Sequence, residues 1–197
     1  SWTPTRQEQD SLRRHQHVLE LQRVDAIWPW LADHHGTLTA LDAPHMAHPE
    51  RLSFAELAQC IATAAAAFRA QGLEAGDVVA LFAENSPRWL VADQGLMRAG
   101  AADAVRGASA PMEELRYILS DCRATALVVQ NADLWRRLDL TASQRQRLRL
   151  VLQLEGEPAE GVLGWEAFLA SGAGQQTVTA SRAVSYTHLT LPTKVEV

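Results

Sequence analysis

The sequence predicts an α/β fold, a mostly parallel sheet flanked by helices. Three observations carry this expectation. The run VVALFA at Val78–Ala83 is continuously apolar and of strand length, as a strand covered on both faces requires. Segments of this kind alternate with segments of helical period, which favours parallel strands joined by right-handed crossovers. Helix-start and helix-stop residues fall between them at the expected offsets.

The elements follow in order. Thr5 to about Leu31 is weakly helical, with Leu12, Val18, Leu19, Ile27, Trp28, Trp30 and Leu31 on one broad face. LTALDAPHMAHPERLSF reads as strand and turn, punctuated by Pro44 and Pro49. Phe54, Leu57, Ile61, Ala65 and Phe68 have helical spacing. Ser53 caps that helix, Glu56 completes a capping box, and Gly72 ends it with Leu73 closing an apolar contact. After the Val78–Ala83 strand, Ser86 caps a helix with Pro87 at its first position, where a missing N–H costs nothing. Gly100 stops it, and AADAV is a short strand. A helix then starts at Ser109 or Ala110 and runs through PMEELRYILSDC. Strand ATALVVQ, helix ADLWRRL, strand RLVLQL and helix GWEAFLASG complete the alternation.

The totals are those of a globular chain. It has 197 residues, 47% of them apolar, and a formal net charge of −5. A chain this long buries roughly 70% of its extended surface, enough for a real core. The negative balance argues against nucleic acid as a partner. Cys60 and Cys122 have no metal-site or disulfide-framework spacing, which suits a reducing, cytoplasmic setting. No stretch of about 20 apolar residues is present, so no spanning helix is expected, and peripheral membrane contact stays open. SWTPTRQEQDSLRRHQH lacks the apolar core of a secretory signal.

The motif search finds no catalytic, cofactor-binding or metal-binding residue to nominate. Neither a G-x-G-x-x-G nor a G-x-x-x-x-G-K-[ST] loop occurs; GAGQQ at Gly172–Gln176 follows a helix and reads as a loop. His15/His17, His34/His35 and His45/His48 read as surface or loop histidines, because their spacing does not put them on one helix face with a carboxylate. Cys60 and Cys122 read as small packing residues. Glu113 and Glu114 suit the first turn of a helix, where negative charge complements the dipole. The basic runs RRHQH and QRQRLR read as solvated faces.

The stretch Leu52–Val129 resembles the N-terminal part of the AMP-forming acyl-activating enzymes. This adenylate-forming superfamily contains acyl-CoA synthetases, luciferases and peptide-synthetase adenylation domains. The marks are LSFAEL, AGDVVALFAEN, a Trp followed by a helix ending in AG, and EELRYILSD before a strand. NSPRWLVADQGLMRAGAADAVRG is most similar to the long-chain fatty-acid branch, of acyl-CoA ligases and acyl–acyl-carrier-protein synthetases. Ala104–Ala108 departs from the aromatic-and-proline pattern of most relatives, which favours the carrier-protein-like side. IWPWLADHH and LTALDAPH also fit, so the resemblance covers roughly Val24 to Ala183.

The resemblance implies a fold: the N-terminal lobe of an adenylate-forming enzyme, incomplete by itself. It also implies a parent activity in which a fatty acid and ATP give an acyl-adenylate, and CoA or an acyl carrier protein then takes the acyl group. The implied parent cofactors are ATP, Mg and CoA or carrier protein. The fragment is expected to bind none of them and to be inactive. The family's Thr/Ser/Gly-rich loop ending in Lys, its adenine- and Mg-binding segment, its ribose-binding Asp and its catalytic Lys have no counterpart in these residues.

Three segments are therefore expected: a helical extension over 1–23, a partial AMP-binding domain over 24–183, and a foreign tail over 184–197. VSYTHLTLPT can be back-translated residue for residue as GTC TCT TAT ACA CAT CTG ACG CTG CCG ACG, which resembles a transposase-end sequencing adapter. Read-through into adapter DNA removes any evolved role from those residues. Two other readings stay open. One is a stand-alone α/β module that binds without catalysis. The other is an interaction protein that uses Trp28, Trp30 and Trp89 as anchors, against which core packing is the plainer explanation.

Overall fold

A computed structural model describes residues 5–7, 21, 23–46 and 49–173. The expected helical extension over 1–23 and the tail over 184–197 lie almost wholly outside the described residues. A 3-10 turn at Val24–Ala26 leads into helix α1, Ile27–His35. Strands β1 (Thr39–Ala43) and β2 (Glu50–Ser53) form an antiparallel pair. Helix α2, Phe54–Ala70, follows directly.

The parallel unit comes next. Its elements are β3 (Val78–Phe82), α3 (Pro87–Ala99), β4 (Ala102–Arg106), α4 (Met112–Asp121), β5 (Ala126–Val129), α5 (Ala132–Leu138), α6 (Ala142–Arg147), β6 (Leu150–Gln153), β7 (Leu163–Gly164) and α7 (Trp165–Ala173). The five strands lie in the order β4-β3-β5-β6-β7, every pairing parallel. The α/β expectation holds, with an antiparallel pair preceding the sheet.

Strand alternation sends side chains into two separate cores. Val79, Leu81, Val128 and Leu152 face one way, onto α2, α3 and α7. Ala80, Phe82, Leu127 and Val129 face the other way, onto α4 and α5. This two-sided burial is why VVALF and ALVV are apolar throughout. Phe68, Phe82 and Phe168 are fully buried. Burial of each such side chain contributes on the order of 2–3 kcal/mol.

Helix boundaries follow local chemistry. Ser53 Oγ accepts from the Glu56 N–H, and the Glu56 carboxylate accepts from the Ser53 N–H at 2.8 Å, closing the capping box. At the other end of α2, Gly72 takes φ +84, the Gly72 N–H donates to Arg69 and the Leu73 N–H to Phe68. These bonds satisfy carbonyls that the helix leaves free. Ser86 caps α3 and Asn131 caps α5.

Three boundaries differ from expectation. Helix α4 starts at Met112, after Pro111, and has no side-chain cap. Helix α6 was not expected: a capping box from Thr141 and Gln144 starts it although its sequence ASQRQR carries no apolar period. Strand β7 is two residues long, too short to read from composition.

The layer of helices over the first core is tight. Gly95 of α3 sits where a Cβ would come within 2.8 Å of the Ala64 Cβ. Gly172 of α7 sits where a Cβ would meet the Thr63 carbonyl and lie 2.7 Å from the Ala67 nitrogen. Ala64–Ala67 of α2 thus receives both neighbours at backbone-to-backbone range.

Candidate functional site

The chain leaves β3 for β4 on one side, then crosses to β5 on the other side of β3. In open parallel sheets the crevice between two such strands, at their carboxyl ends, is where ligands bind. Here that crevice is bounded by Ala83–Ser86 after β3, Gly107–Ser109 after β4 and Gln130–Asn131 after β5.

Hydrogen bonds link the three segments. The Ser109 N–H donates to Glu84 Oε1 at 3.0 Å, and the Glu84 N–H donates to Gln130 Oε1 at 3.0 Å. Gly107 leaves room for the Glu84 carboxylate, since a Cβ there would lie 3.1 Å from Oε1. One strand further along, buried Gln153 donates to the carbonyls of Glu155 and Glu157 and accepts from the Ala159 N–H, which shapes the loop after β6. Arg106, at the end of β4, is held by Glu114 at 2.7 Å. Two of the rim's amides are thus bonded to rim side chains, and the exposed Glu84 carboxylate bridges the ends of β3 and β4.

Two buried polar clusters lie elsewhere. Arg88, in the first turn of α3, donates from Nη1 to the Leu154 carbonyl at 2.6 Å and from Nη2 to Glu166 at 2.9 Å. Its Nε lies 3.5 Å from Glu50, an ion pair without hydrogen-bond geometry, and its guanidinium stands 5.9 Å from the Trp165 ring. The second cluster is the pair Asp93 on α3 and Asp103 on β4. Burial first, then the neighbouring Asp93, pushes the Asp103 carboxyl up to about 8.

The residues weighed from sequence are not brought together. His34 donates from Nδ1 to the Trp30 carbonyl and stacks on the Trp30 ring at 4.1 Å, while His35 meets that ring edge-on. His45 is exposed in the turn between β1 and β2, and His15, His17 and His48 lie outside the described residues. Cys60 and Cys122 are half-buried free thiols, and burial raises both above the usual thiol range. Glu113 is exposed, and Glu114 serves Arg106. Gly172 is a helix-packing residue, and the rest of GAGQQ beyond Ala173 lies outside the described residues.

Trp28 and Trp89 pack against the first core. The run QRQRLR is more than a solvated face. Arg145 stands 5.6 Å from the Trp135 ring, and Arg149 binds Asp77 at 2.7 Å and the Gly72 carbonyl at 3.2 Å. Among the described residues no three His, Cys, Asp or Glu side chains are grouped to hold a metal. No described helix is long and apolar enough to cross a membrane.

The family model described as AMP-binding enzyme matches residues 30–188. The chain belongs to the AMP-binding enzyme family. The chain is 37% identical over 138 residues to a chloroplastic long-chain-fatty-acid–acyl-carrier-protein ligase of Arabidopsis thaliana, covering 70% of this chain and 19% of that protein. It is 30% identical over 105 residues to the long-chain-fatty-acid–CoA ligase heimdall of Drosophila melanogaster, covering 53% of this chain and 15% of that protein. The structure of an anthranilate CoA ligase in complex with anthranoyl-AMP superposes with a TM-score of 0.70 at 22% identity, covering 82% of this chain and 30% of that one. This chain therefore spans about a fifth of the length of the Arabidopsis relative. Its fold is that of an N-terminal lobe of adenylate-forming ligases.

No local pattern points to the Asp93–Asp103 pair or to the Arg88 node. Asp103 could have been placed by strand alternation, because Asp103 and Val105 share a face in AADAV, but its partner depends on how α3 lies.

Proposed function

We propose that this chain is the N-terminal lobe of an ATP-dependent long-chain fatty-acid ligase. The observation that carries the reading is the 37% identity over 138 residues to a protein named as a long-chain-fatty-acid–acyl-carrier-protein ligase. In the parent reaction a fatty-acid carboxylate oxygen bonds to the α-phosphorus of ATP and pyrophosphate leaves. A thiol of CoA or of an acyl carrier protein then bonds to the acyl carbon and AMP leaves.

The lobe's role is to frame the ligase. Two observations support a lobe that binds no ATP, Mg or CoA by itself: the Glu84 carboxylate takes the Ser109 N–H at the carboxyl end of the sheet, and among the described residues no carboxylate set is grouped for a cation. Stabilising the charge that moves onto phosphate needs preorganised cations and N–H donors. Those groups belong to the rest of the parent, so the 197-residue chain is inactive alone. Residues 1–23 are an extension, 24–183 the partial domain, and 184–197 adapter read-through.

Two experiments test this. The chain is incubated with ATP, Mg and a long-chain fatty acid, and pyrophosphate is measured; release above a no-protein blank overturns the inactivity. Long-read sequencing of the source DNA is run across the Ala183 codon, and the continued frame is expressed and assayed with CoA and with carrier protein. A frame that truly stops after SYTHLTLPTKVEV sinks the ligase reading and favours a stand-alone binding or interaction module.

A further inference from the structure

Arginines gather at the amino-terminal end of the parallel sheet. Residues 116–149 contain seven arginines, three aspartates and no other charged side chain, a local balance of +4 in a chain of net −5. Arg116 lies on α4 and Arg123 follows it, Arg136 and Arg137 are in the last turn of α5, Arg145 and Arg147 are in the last turn of α6, and Arg149 precedes β6. Hydrogen bonds bring these segments together. Arg116 Nε donates to the Leu138 carbonyl at 2.8 Å, joining α4 to the end of α5. Gln144 Nε2 donates to Ser120 Oγ at 3.5 Å, joining α6 to the end of α4. The Arg149 N–H donates to the Thr125 carbonyl at 2.8 Å, joining the starts of β6 and β5. Arg116 is half-buried and the other six arginines are exposed.

Most of this charge is not neutralised. Arg149 binds Asp77, and Arg137 lies 3.6 Å from Asp133. Arg116, Arg123, Arg136, Arg145 and Arg147 have no carboxylate partner among the described residues. Arg116, Arg136 and Arg145 donate from Nε to the carbonyls of Leu138, Ala132 and Leu140, which fixes their stems and leaves their charge in place. Cations at helix C-termini offset the dipole, about half a charge per helix. The ends of α4, α5 and α6 thus account for roughly 1.5 charges, less than the excess. The carboxyl end of the sheet has the opposite sign. Glu84 follows β3, and Glu155, Glu157 and Glu160 lie between β6 and β7, while Arg88 and Arg106 at that end are paired with carboxylates.

We propose that the arginine face adsorbs this chain onto an anionic lipid bilayer, with the carboxyl end of the sheet turned away from the membrane. Guanidinium forks match headgroup phosphates bidentately. A clustered set of arginines is drawn to an anionic leaflet by charge alone. A stable protein partner would instead need an apolar anchor near the centre of the face. The large exposed apolar side chains among the described residues are Val24, Leu38, Met46, Val105 and Tyr117, and none of them falls within 123–149. The same composition makes the contact adsorption and not insertion. A nucleic acid is disfavoured by the acidic balance of the whole chain. This inference is independent of the ligase reading, because vesicle binding is measured without turnover.

Co-sedimentation of the full chain with vesicles tests the proposal. At about 0.1 M salt the chain is expected to pellet with phosphatidylcholine vesicles containing about one third phosphatidylglycerol, and to stay in solution with pure phosphatidylcholine. Binding is lost at about 1 M salt, where the screening length falls to about 3 Å. Arg123 and Arg147 are exposed and make no side-chain bond among the described residues. The double variant Arg123→Gln/Arg147→Gln should therefore keep the wild-type thermal midpoint and bind roughly 20- to 30-fold more weakly, from about fivefold per arginine. Arg147→Lys, which keeps the charge, should bind like the wild type. Equal pelleting with neutral vesicles, no pelleting of the wild type, or undiminished binding of the double variant overturns the proposal. A short DNA duplex that displaces the chain from the vesicles at equal phosphate concentration also overturns it and assigns the face to nucleic acid. Where the double variant fails to fold, Arg147→Gln alone decides, with a loss of about fivefold expected.

Discussion

Arg88 Nη1 lies 2.6 Å from the Leu154 carbonyl oxygen, so the first turn of α3, which follows β3, is tied to the end of β6 past the intervening strand β5. The same guanidinium reaches Glu50 of β2 and Glu166 of α7. One side chain, 13% exposed, thereby joins the antiparallel pair, the parallel sheet and the last described helix.

Removing that side chain leaves a carbonyl without its partner in a partly buried place. Arg88→Ala is expected to destabilise the chain by about 2 kcal/mol or more, the range for a lost hydrogen bond to a charged group. Glu166 is 81% exposed, so Glu166→Gln changes stability by less than about 1 kcal/mol. Urea unfolding of both variants checks this. Equal losses would show that the ion pair with Glu166, and not the bond to Leu154, does the fastening.

Helix contact at Gly172 sets two effects against each other. Gly→Ala within a helix gains about 1 kcal/mol in propensity. At Gly172 the new methyl would run into the Thr63 carbonyl and the Ala67 nitrogen, both backbone atoms that cannot swing aside. Overpacking of this kind costs typically 1–3 kcal/mol, so Gly172→Ala is expected to be net destabilising. A rise in thermal midpoint would mean that α7 shifts along α2 without cost.

Capping supplies a third test. Ser86 Oγ accepts from the Trp89 N–H at 3.1 Å, and Ser86→Ala is expected to lose about 1 kcal/mol. At α2 the readout is pH. The Ser53 backbone N–H, and then its hydroxyl, hold the Glu56 carboxyl below its ordinary 4.5. Stability from this bond is present above the ordinary value and is lost as pH falls through the lowered one. Glu56→Gln should remove that acid-side dependence while leaving the neutral-pH fold intact, as circular dichroism would report.

The thiols give a fourth. Burial, reinforced by Glu50 and Glu56, raises Cys60, and burial raises Cys122. The thiolate is the reactive form, so both cysteines should alkylate more slowly in the folded chain than in urea. Labelling with iodoacetamide, read by mass spectrometry, checks this. A cysteine that reacts faster when folded would be an activated nucleophile that the packing does not explain.

Much of this architecture was legible before any coordinates. The Ser53/Glu56 box, the Gly72–Leu73 stop and the Ser86–Pro87 start are set by bonds within a few residues, so local sequence carries them. The strands β3 and β5 were legible because burial on both faces forces apolar residues throughout. Helix α6 was missed because exposed helices need no apolar period, although the Thr141–Gln144 box was present to be read. The family was legible too, because its marks are spread over Leu52–Val129 and lie on these same elements.

By itself, then, the sequence determined the alternation of helices and strands, their ends and the family, because each depends on local hydrogen bonds or on a periodic demand for apolar residues. Tertiary structure alone decided the strand order β4-β3-β5-β6-β7, which brings Glu84 after β3 within reach of the Ser109 N–H after β4. It also decided that Arg88 would reach Leu154 and that Asp93 would meet Asp103. These pairings join residues that are near only after crossovers have closed. Their chemistry comes from desolvation, which no local pattern encodes, because a side chain loses its water only when distant segments arrive to cover it.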